Sequence, residues 1–436
     1  MSTDAVAGPR RTDRPLDEAG VVTAVRRAAE RGATVRPTGA TGRIPGPLAR
    51  TDDVALDASA LTGVVRIGPA PANAPADRGP GPDTPGYTPG DDTTVRVRAG
   101  ESLAGLCAAL AASGRALATV PDAPRATVGG AVQLGMYGGA PAEGSLSAQV
   151  RAVRLVDGTG RVREVTGPDL DAARCGLGAL GVLTELELRT VALRRLRVHE
   201  RTAATEELLA EGFPGAHAWT ELDVAVHSGQ ALVRTADPVD DDPAAGDTPD
   251  PAGARTWGRA VSRLAASWAE WAEWSGRPGW PPPPRWAPGT EGPPHEVLPD
   301  PQPWDPDLAE WAVPLDALGP VLRELGAAVA ARGRELRPVR VRTGAAETGL
   351  LHPASGRATA YLRIRTRGTS QEPVRRLAGA VCEDAGGRPC WTTRTNWGPD
   401  EMAVAYPGWD AFRAVRDRYD PDRIFTDPYL ADRLGS

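Results

Sequence analysis

The chain reads as an α+β protein of two domains, and three observations lead there. Its 436 residues are long for a single core. Helical and strand-like periodicities alternate along it, and in the second half strand, helix and strand recur in the order that suits an antiparallel sheet with helices on one face. The stretch from Thr127 to Leu188 sets glycine-rich turns on either side of a strand: Thr127-Val128-Gly129-Gly130-Ala131-Val132 and Gly135-Met136-Tyr137-Gly138-Gly139 before Val150 to Val156, then Gly176-Leu177-Gly178-Ala179-Leu180-Gly181-Val182 after it. Glycine leaves backbone N–H groups uncrowded, so a polyphosphate or nucleotide can approach them. Neither G-x-G-x-x-G after a strand nor G-x-x-x-x-G-K-[ST] is present, which excludes the two common nucleotide loops.

In chain order, residues 1–14 are polar and expected to be loose. From Asp17 to Arg31 the positions Val21, Val22, Val25 and Ala28 share a helical face, and Gly32 stops the helix. A short strand, Thr34 to Arg36, meets Pro37-Thr38-Gly39-Ala40-Thr41-Gly42, read either as a plain loop or as a second phosphate cradle. Strands are expected at Val54 to Asp57 and Val64 to Ile67, and residues 69–92, rich in Pro, Gly and Asp, as an inserted loop. Val95 and Val97 alternate with arginines, a helix runs from Ser102 to Ser113 on Leu103, Leu106 and Leu110, and Val182 to Leu188 alternates as a half-exposed strand. A second domain begins near residue 195. Within it, 236–310 is a Pro- and Trp-rich insertion in which Trp257, Leu264, Trp268, Trp271 and Trp274 take helical spacing. That stripe packs on its own domain, covers a pocket, or forms a homodimer contact. An amphipathic helix on Leu315, Leu318, Leu322, Leu325 and Val329, strands at Val339 to Thr343 and Ala360 to Thr366, a helix from Glu372 to Asp384 and a last helix carrying Trp409, Phe412 and Val415 complete the chain.

A net charge of −6 argues against nucleic acid or an anionic membrane as partner, since both call for a positive surface. No lysine occurs, so every formal cation outside histidine is arginine. Cys107, Cys175, Cys382 and Cys390 are too sparse for a disulfide framework and spaced unlike a zinc site; buried or idle thiols are expected, with no metal. No apolar run approaches the ~20 residues that span a bilayer. Arg10-Arg11 is followed by a polar stretch rather than an apolar one, so it is not read as an export signal, and the cytoplasm is the expected location.

Six segments carry a family resemblance. Arg36-Pro37-Thr38-Gly39-Ala40, Leu56-Asp57-Ala58-Ser59-Ala60-Leu61-Thr62-Gly63-Val64, Thr127 to Ala131 and Gly176 to Glu185 resemble the FAD-binding domain of aldonolactone and alditol oxidases, which belong to the vanillyl-alcohol-oxidase-like flavoproteins. Tyr406 to Phe412 and Asp420 to Leu430 resemble the closing segment of the same family. The resemblance implies a two-subdomain FAD-binding domain over 15–194, an antiparallel-sheet cap over 195–405 that supplies the substrate side, and a closing segment over 406–436 that packs back on the flavin/cap interface. It also implies FAD as cofactor, a small sugar-derived C–OH substrate, and O2 or another electron acceptor. Carried over by motif, Pro37, Gly39, Thr41 and Gly42 belong to the pyrophosphate loop. Thr127, Val128, Gly130, Gly135 and Tyr137 line the flavin and ribityl chain, and Val182 meets the adenosine side through its backbone.

The family's motifs are broken at the reacting end. A flavin-linking His is usual after the first loop, where this chain has Gly42 or Arg43, so non-covalent FAD is expected. Glu-x-Arg becomes Arg340-Val341-Arg342, the next strand's His falls at Arg365, and a Lys falls at Thr393. Arg342 is kept to polarise the substrate oxygen, but the ordinary bases are gone and arginine is a poor one. Tyr137 is a possible base, with a packing role as its alternative. Arg340, Arg342, Arg363 and Arg365 would make a cationic pocket suited to a carboxylate or phosphate, or would partly face solvent. The loss of three catalytic positions also admits a second class of function, a catalytically degenerate binding or partner protein that keeps the fold.

Overall fold

The computed structural model describes residues 11–39, 53–70, 92–239, 289–299, 308–331, 336–365, 372–393 and 395–435. In the first half the strands are β1 (Arg11–Asp13), β2 (Val35–Thr38), β3 (Val54–Asp57), β4 (Val64–Pro69), β5 (Thr93–Arg98), β6 (Arg115–Ala116), β7 (Val150–Val156), β8 (Val162–Val165), β9 (Val182–Arg189) and β10 (Val191–Ala192). They form a small parallel sheet β1-β3-β2, an antiparallel sheet β4-β5-β9-β7-β8 and the pair β10-β6. The second half continues with β11 (Leu196–Ala204), β12 (Trp219–Ala225), β13 (Gln230–Pro238), β14 (Glu291–Gly292), β15 (Ala309–Pro314), β16 (Val339–Gly344), β17 (Thr359–Ile364) and β18 (Arg388–Pro389). These pair antiparallel in one sheet, β14-β11-β13-β12-β16-β17-β15-β18. The α+β class expected from the sequence is the class observed.

Local chemistry explains the helices. Asp17 caps Glu18–Glu30 by accepting the Gly20 N–H, and Val21, Ala24, Val25 and Ala28 form its buried stripe. Ser102 caps Leu103–Ala112 in the same way through Gly105 N. The helices Leu318–Ala330 and Glu372–Asp384 lay Leu322, Leu325, Val374 and Ala378 on the apolar face of the eight-stranded sheet, against Leu222, Trp311, Val341 and Leu362. The closing segment packs on the first half: Trp409, Phe412 and Val415 enter the core beside Leu106 and Leu155, and Ile424 and Phe425 join Val35, Leu56 and Val182 beneath the parallel sheet.

Three sequence expectations are corrected. Residues 11–13 are not loose; the open edge of β3 takes them up in parallel register, Arg11 against Val54 through Asp13 against Leu56. β9 is not half exposed. It is a central strand whose charged residues find partners on neighbouring strands, so Glu187 bonds the Thr94 hydroxyl and pairs with Arg66, and both faces are buried. Three strands, β11 to β13, occupy 196–238, where the sequence reading assigned no element. The loop expected at 69–92 falls largely outside the described residues, as does the Trp stripe at 257–274 with its lid and dimer readings. Among the described residues no helix is long and apolar enough to cross a membrane, and the four cysteines are free and buried.

Candidate active site

Strand alternation splits the eight-stranded sheet into two chemistries. Val341, Leu222 and Leu362 turn to the helices, so Arg342, Glu221 and Tyr361 turn the other way, toward the glycine-rich loops of the first half. That second face is charged and largely buried. Arg342 is 2% exposed; its Nε donates to Glu221 Oε2 at 2.8 Å, its Nη2 reaches Asp122 of the first half, and its guanidinium lies 5.5 Å from the Trp219 ring centre. Arg340 bonds Asp223 (3.1 Å), and Arg234 bonds Glu200 (2.6 Å), Glu221 (2.7 Å) and Asp223. Burial works against the Arg342 charge, yet Asp122 and Glu221 outweigh it and hold the guanidinium above its ordinary value.

A second cluster centres on Glu310 of β15. Its carboxylate accepts the Tyr137 hydroxyl and the Thr392 hydroxyl and lies 3.0 Å from Arg363 Nε. Tyr137 stacks on Tyr361, ring centres 3.7 Å apart and planes within 8°. Burial first, and Glu310 second, push the Tyr137 phenol well above its usual range, so it keeps its proton and donates a hydrogen bond to Glu310 at neutral pH.

The cationic pocket expected from Arg340, Arg342 and Arg363 is therefore corrected: carboxylates from β12 and β15 and from Asp122 meet these arginines. Isolated cations at these depths would be too costly to bury, and the fold supplies the counter-charges. Arg365 lies just beyond β17, where its carbonyl accepts the Arg337 N–H. Thr393 is buried and bonds the Cys390 carbonyl at 3.2 Å, while its neighbour Thr392 is the one that reaches Glu310. Glu221, Asp122 and Glu310 were missed in the sequence. A signal was present in β12, where Glu221 and Asp223 alternate with Leu222 and Val224 inside an otherwise apolar strand.

The cofactor residues fall in two groups. Gly39, at the end of β2, abuts Thr127 so closely that a Cβ would lie 2.3 Å from its Oγ1, and the Pro37 ring packs at Gly178. Thr41 and Gly42 lie outside the described residues. Thr127 caps the turn Val128–Gln133; the N–H groups of Val128 and Gly130 are taken by Glu101 O (2.8 Å) and Thr127 Oγ1 (3.2 Å). Val182 is buried in the core under the parallel sheet. Gly135 is at φ +61° against His352. Immediately after it, the N–H groups of Tyr137, Gly138, Gly139 and Ala140 have no hydrogen-bond acceptor among the described residues, although positions 138–140 are buried. Buried N–H groups are nearly always paired, so this run fits a bound group that brings acceptors to it.

Comparison with known proteins gives the fold a cofactor, FAD. A family model described as FAD binding domain matches residues 9–166, and one described as D-arabinono-1,4-lactone oxidase matches 292–433. L-gulono-1,4-lactone dehydrogenase of Mycobacterium tuberculosis is 29% identical over 447 residues, covering 99% of this chain and 97% of the relative. Alditol oxidase of a Streptomyces species is 29% identical over 388 residues, 81% of this chain and 87% of its own length. The fold matches cholesterol oxidase from B. sterolicum at a TM-score of 0.70 over 97% of this chain and 94% of that one, with 16% identity. The molecule has the fold of the vanillyl-alcohol-oxidase-type FAD enzymes, an FAD-binding domain joined to an antiparallel-sheet cap. The chain is thus similar, as a divergent relative, to the aldonolactone and alditol oxidases, and these matches support an FAD-dependent oxidoreductase.

Proposed function

We propose that this protein oxidises a C–OH group of a neutral sugar-derived substrate, an aldonolactone or an alditol, with non-covalent FAD and with Glu310 as the proton acceptor. One observation carries the reading: a carboxylate stands on the inward face of the cap sheet in contact with Tyr137, from the loop whose free N–H groups fit the cofactor. Bound FAD would supply the two-electron acceptor for the hydride of the C–OH group. Pro37, Gly39 and the Tyr137–Ala140 backbone would hold it, and the absence of a His in the described flavin loops supports non-covalent binding.

Glu310 takes the substrate's hydroxyl proton, a role worth ~10²–10⁴ in rate for a positioned base. Tyr137 and Thr392 donate to the carboxylate and fix its orientation, and Arg363 pairs with it. Arg342, locked between Asp122 and Glu221, presents a fixed cationic edge that steadies negative charge on the substrate oxygen. Because the arginines already have carboxylate partners, an anionic substrate would have to displace one, and this favours neutral lactones and alditols over sugar acids.

The test is the visible spectrum of the purified protein before and after acid precipitation, followed by turnover with lactones, alditols and sugar acids using O2 and a dye as acceptors. Flavin bands that pass to the supernatant, and lactone or alditol turnover at least about tenfold above sugar acids, are expected. Flavin retained in the pellet would refute non-covalent binding, and a preference for sugar acids would refute the neutral pocket.

A further inference from the structure

The segment between β16 and β17 leaves the cap sheet and enters the FAD-binding half. Ala345 N donates to Glu143 O at 3.0 Å. Glu347 accepts from the Ser145 backbone N–H at 2.6 Å and from its hydroxyl at 3.1 Å. His352 is fully buried: its Nε2 lies 3.1 Å from Gly135 O, and its Nδ1 lies 3.1 Å from Ala354 N and 3.4 Å from Glu347 Oε1. A carbonyl only accepts and an amide N–H only donates, so the pattern assigns the tautomer with its proton on Nε2.

These contacts bracket residues 135–145, His352 at the first and Glu347 at the last. Between them lie Tyr137, which reaches Glu310, and the run of N–H groups without acceptors. The approach at Gly135 is backbone-close, since a Cβ there would sit 2.6 Å from His352 Cδ2. The same cap segment joins the strand of Arg342 to the strand of Tyr361, so the two charged clusters and the loop are tied to one piece of chain.

We propose that His352 and Glu347 are positioning residues, a clamp carried by the cap that holds the 135–145 loop in register for the cofactor. This rests on the reading of that loop as flavin-facing. Burying an imidazole beside a carboxylate is unfavourable without specific hydrogen bonds, and here those bonds go to the two ends of one functional loop. The clamp makes the cofactor site depend on the cap being docked.

The experiment compares the full-length wild type, His352→Leu, His352→Gln and Glu347→Gln for FAD dissociation constant by flavin fluorescence, for the fine structure of the bound-flavin absorption band, and for thermal unfolding in saturating FAD. His352→Leu removes the donor to Gly135 O and is expected to weaken FAD binding about tenfold or more and to alter the band. His352→Gln restores a donor and is expected to recover binding to within about threefold of wild type. His352→Leu with wild-type affinity and band would overturn the clamp, as would a His352→Gln variant that fails equally. Should His352→Leu not fold, Glu347→Gln decides: an altered band supports the clamp and an unchanged one overturns it. A wild type that binds no FAD would instead refute the flavin-facing loop itself, which separates the two failures.

Discussion

The two faces of the eight-stranded sheet are built from alternate residues of the same strands, yet they are held together by different physics. On one face Leu222, Trp311, Val341 and Leu362 bury against the helices Leu318–Ala330 and Glu372–Asp384. Any apolar group of similar volume would serve there. On the other face Arg342, Arg234 and Glu310 are as deeply placed and Arg340 is partly buried, but each needs particular partners from another strand or from the first half. Hydrophobic burial explains the first face and cannot explain the second, where desolvation opposes every charge. The contrast teaches that the charged face is specified partner by partner, and it is the face that meets the glycine-rich loop of the first half.

Three changes test this division, in order of expected size. Arg342→Ala leaves Glu221 and Asp122 without their cation and should lower stability by ~3–5 kcal/mol in denaturant titration. A loss below about 1 kcal/mol, the level of a surface pair, would mean that the charges are not truly buried. Leu362→Ala opens a cavity on the apolar face and should cost ~2–5 kcal/mol while leaving the flavin spectrum and substrate KM unchanged in the folded protein. A changed KM at full folding would break the separation of the two faces.

The smallest effect comes from the closing segment, which provides a buried acid held by N–H groups. Asp420 accepts from Ile424 N (2.9 Å) and Phe425 N (3.0 Å), and burial pushes it up to about 6 from an ordinary 3.8. The folded state thus binds this proton more tightly than the unfolded chain. Its stabilising contribution is complete below the ordinary value and is lost as pH rises through about 6. The wild type should therefore lose ~2–3 kcal/mol relative to Asp420→Asn between about pH 4 and pH 7, read from unfolding midpoints of both proteins. Parallel pH profiles would show that burial does not set this acid apart from the arginine-paired ones.

Much of the scaffold was legible in the sequence. Val150–Val156 and Glu372–Asp384 appear with the bounds that periodicity and flanking residues suggest, because each buries a face against elements formed independently of it. The glycine-rich stretch was legible as bared backbone, but not what approaches it: Trp219 and Thr220 at Gly139 and His352 at Gly135 come from far along the chain. The same limit applies at the charged face. Arg342 was identified by motif, while its partners Glu221 and Asp122 are 121 and 220 positions away, so its environment read as cationic when it is compensated. Glu310 escaped notice because a single acid in an apolar strand has no sequence signal until Tyr137 and Arg363 are folded against it.

The central claim is that Glu310 replaces the family's missing base. Its most direct test is anaerobic mixing of the purified protein with its best aldonolactone or alditol, following flavin absorbance near ~450 nm in wild type and Glu310→Gln side by side. Both proteins should carry the same flavin, the wild type should bleach, and the variant should bleach ~10²–10⁴ more slowly. Equal rates in the two proteins, or a wild type that no lactone or alditol reduces, would contradict it.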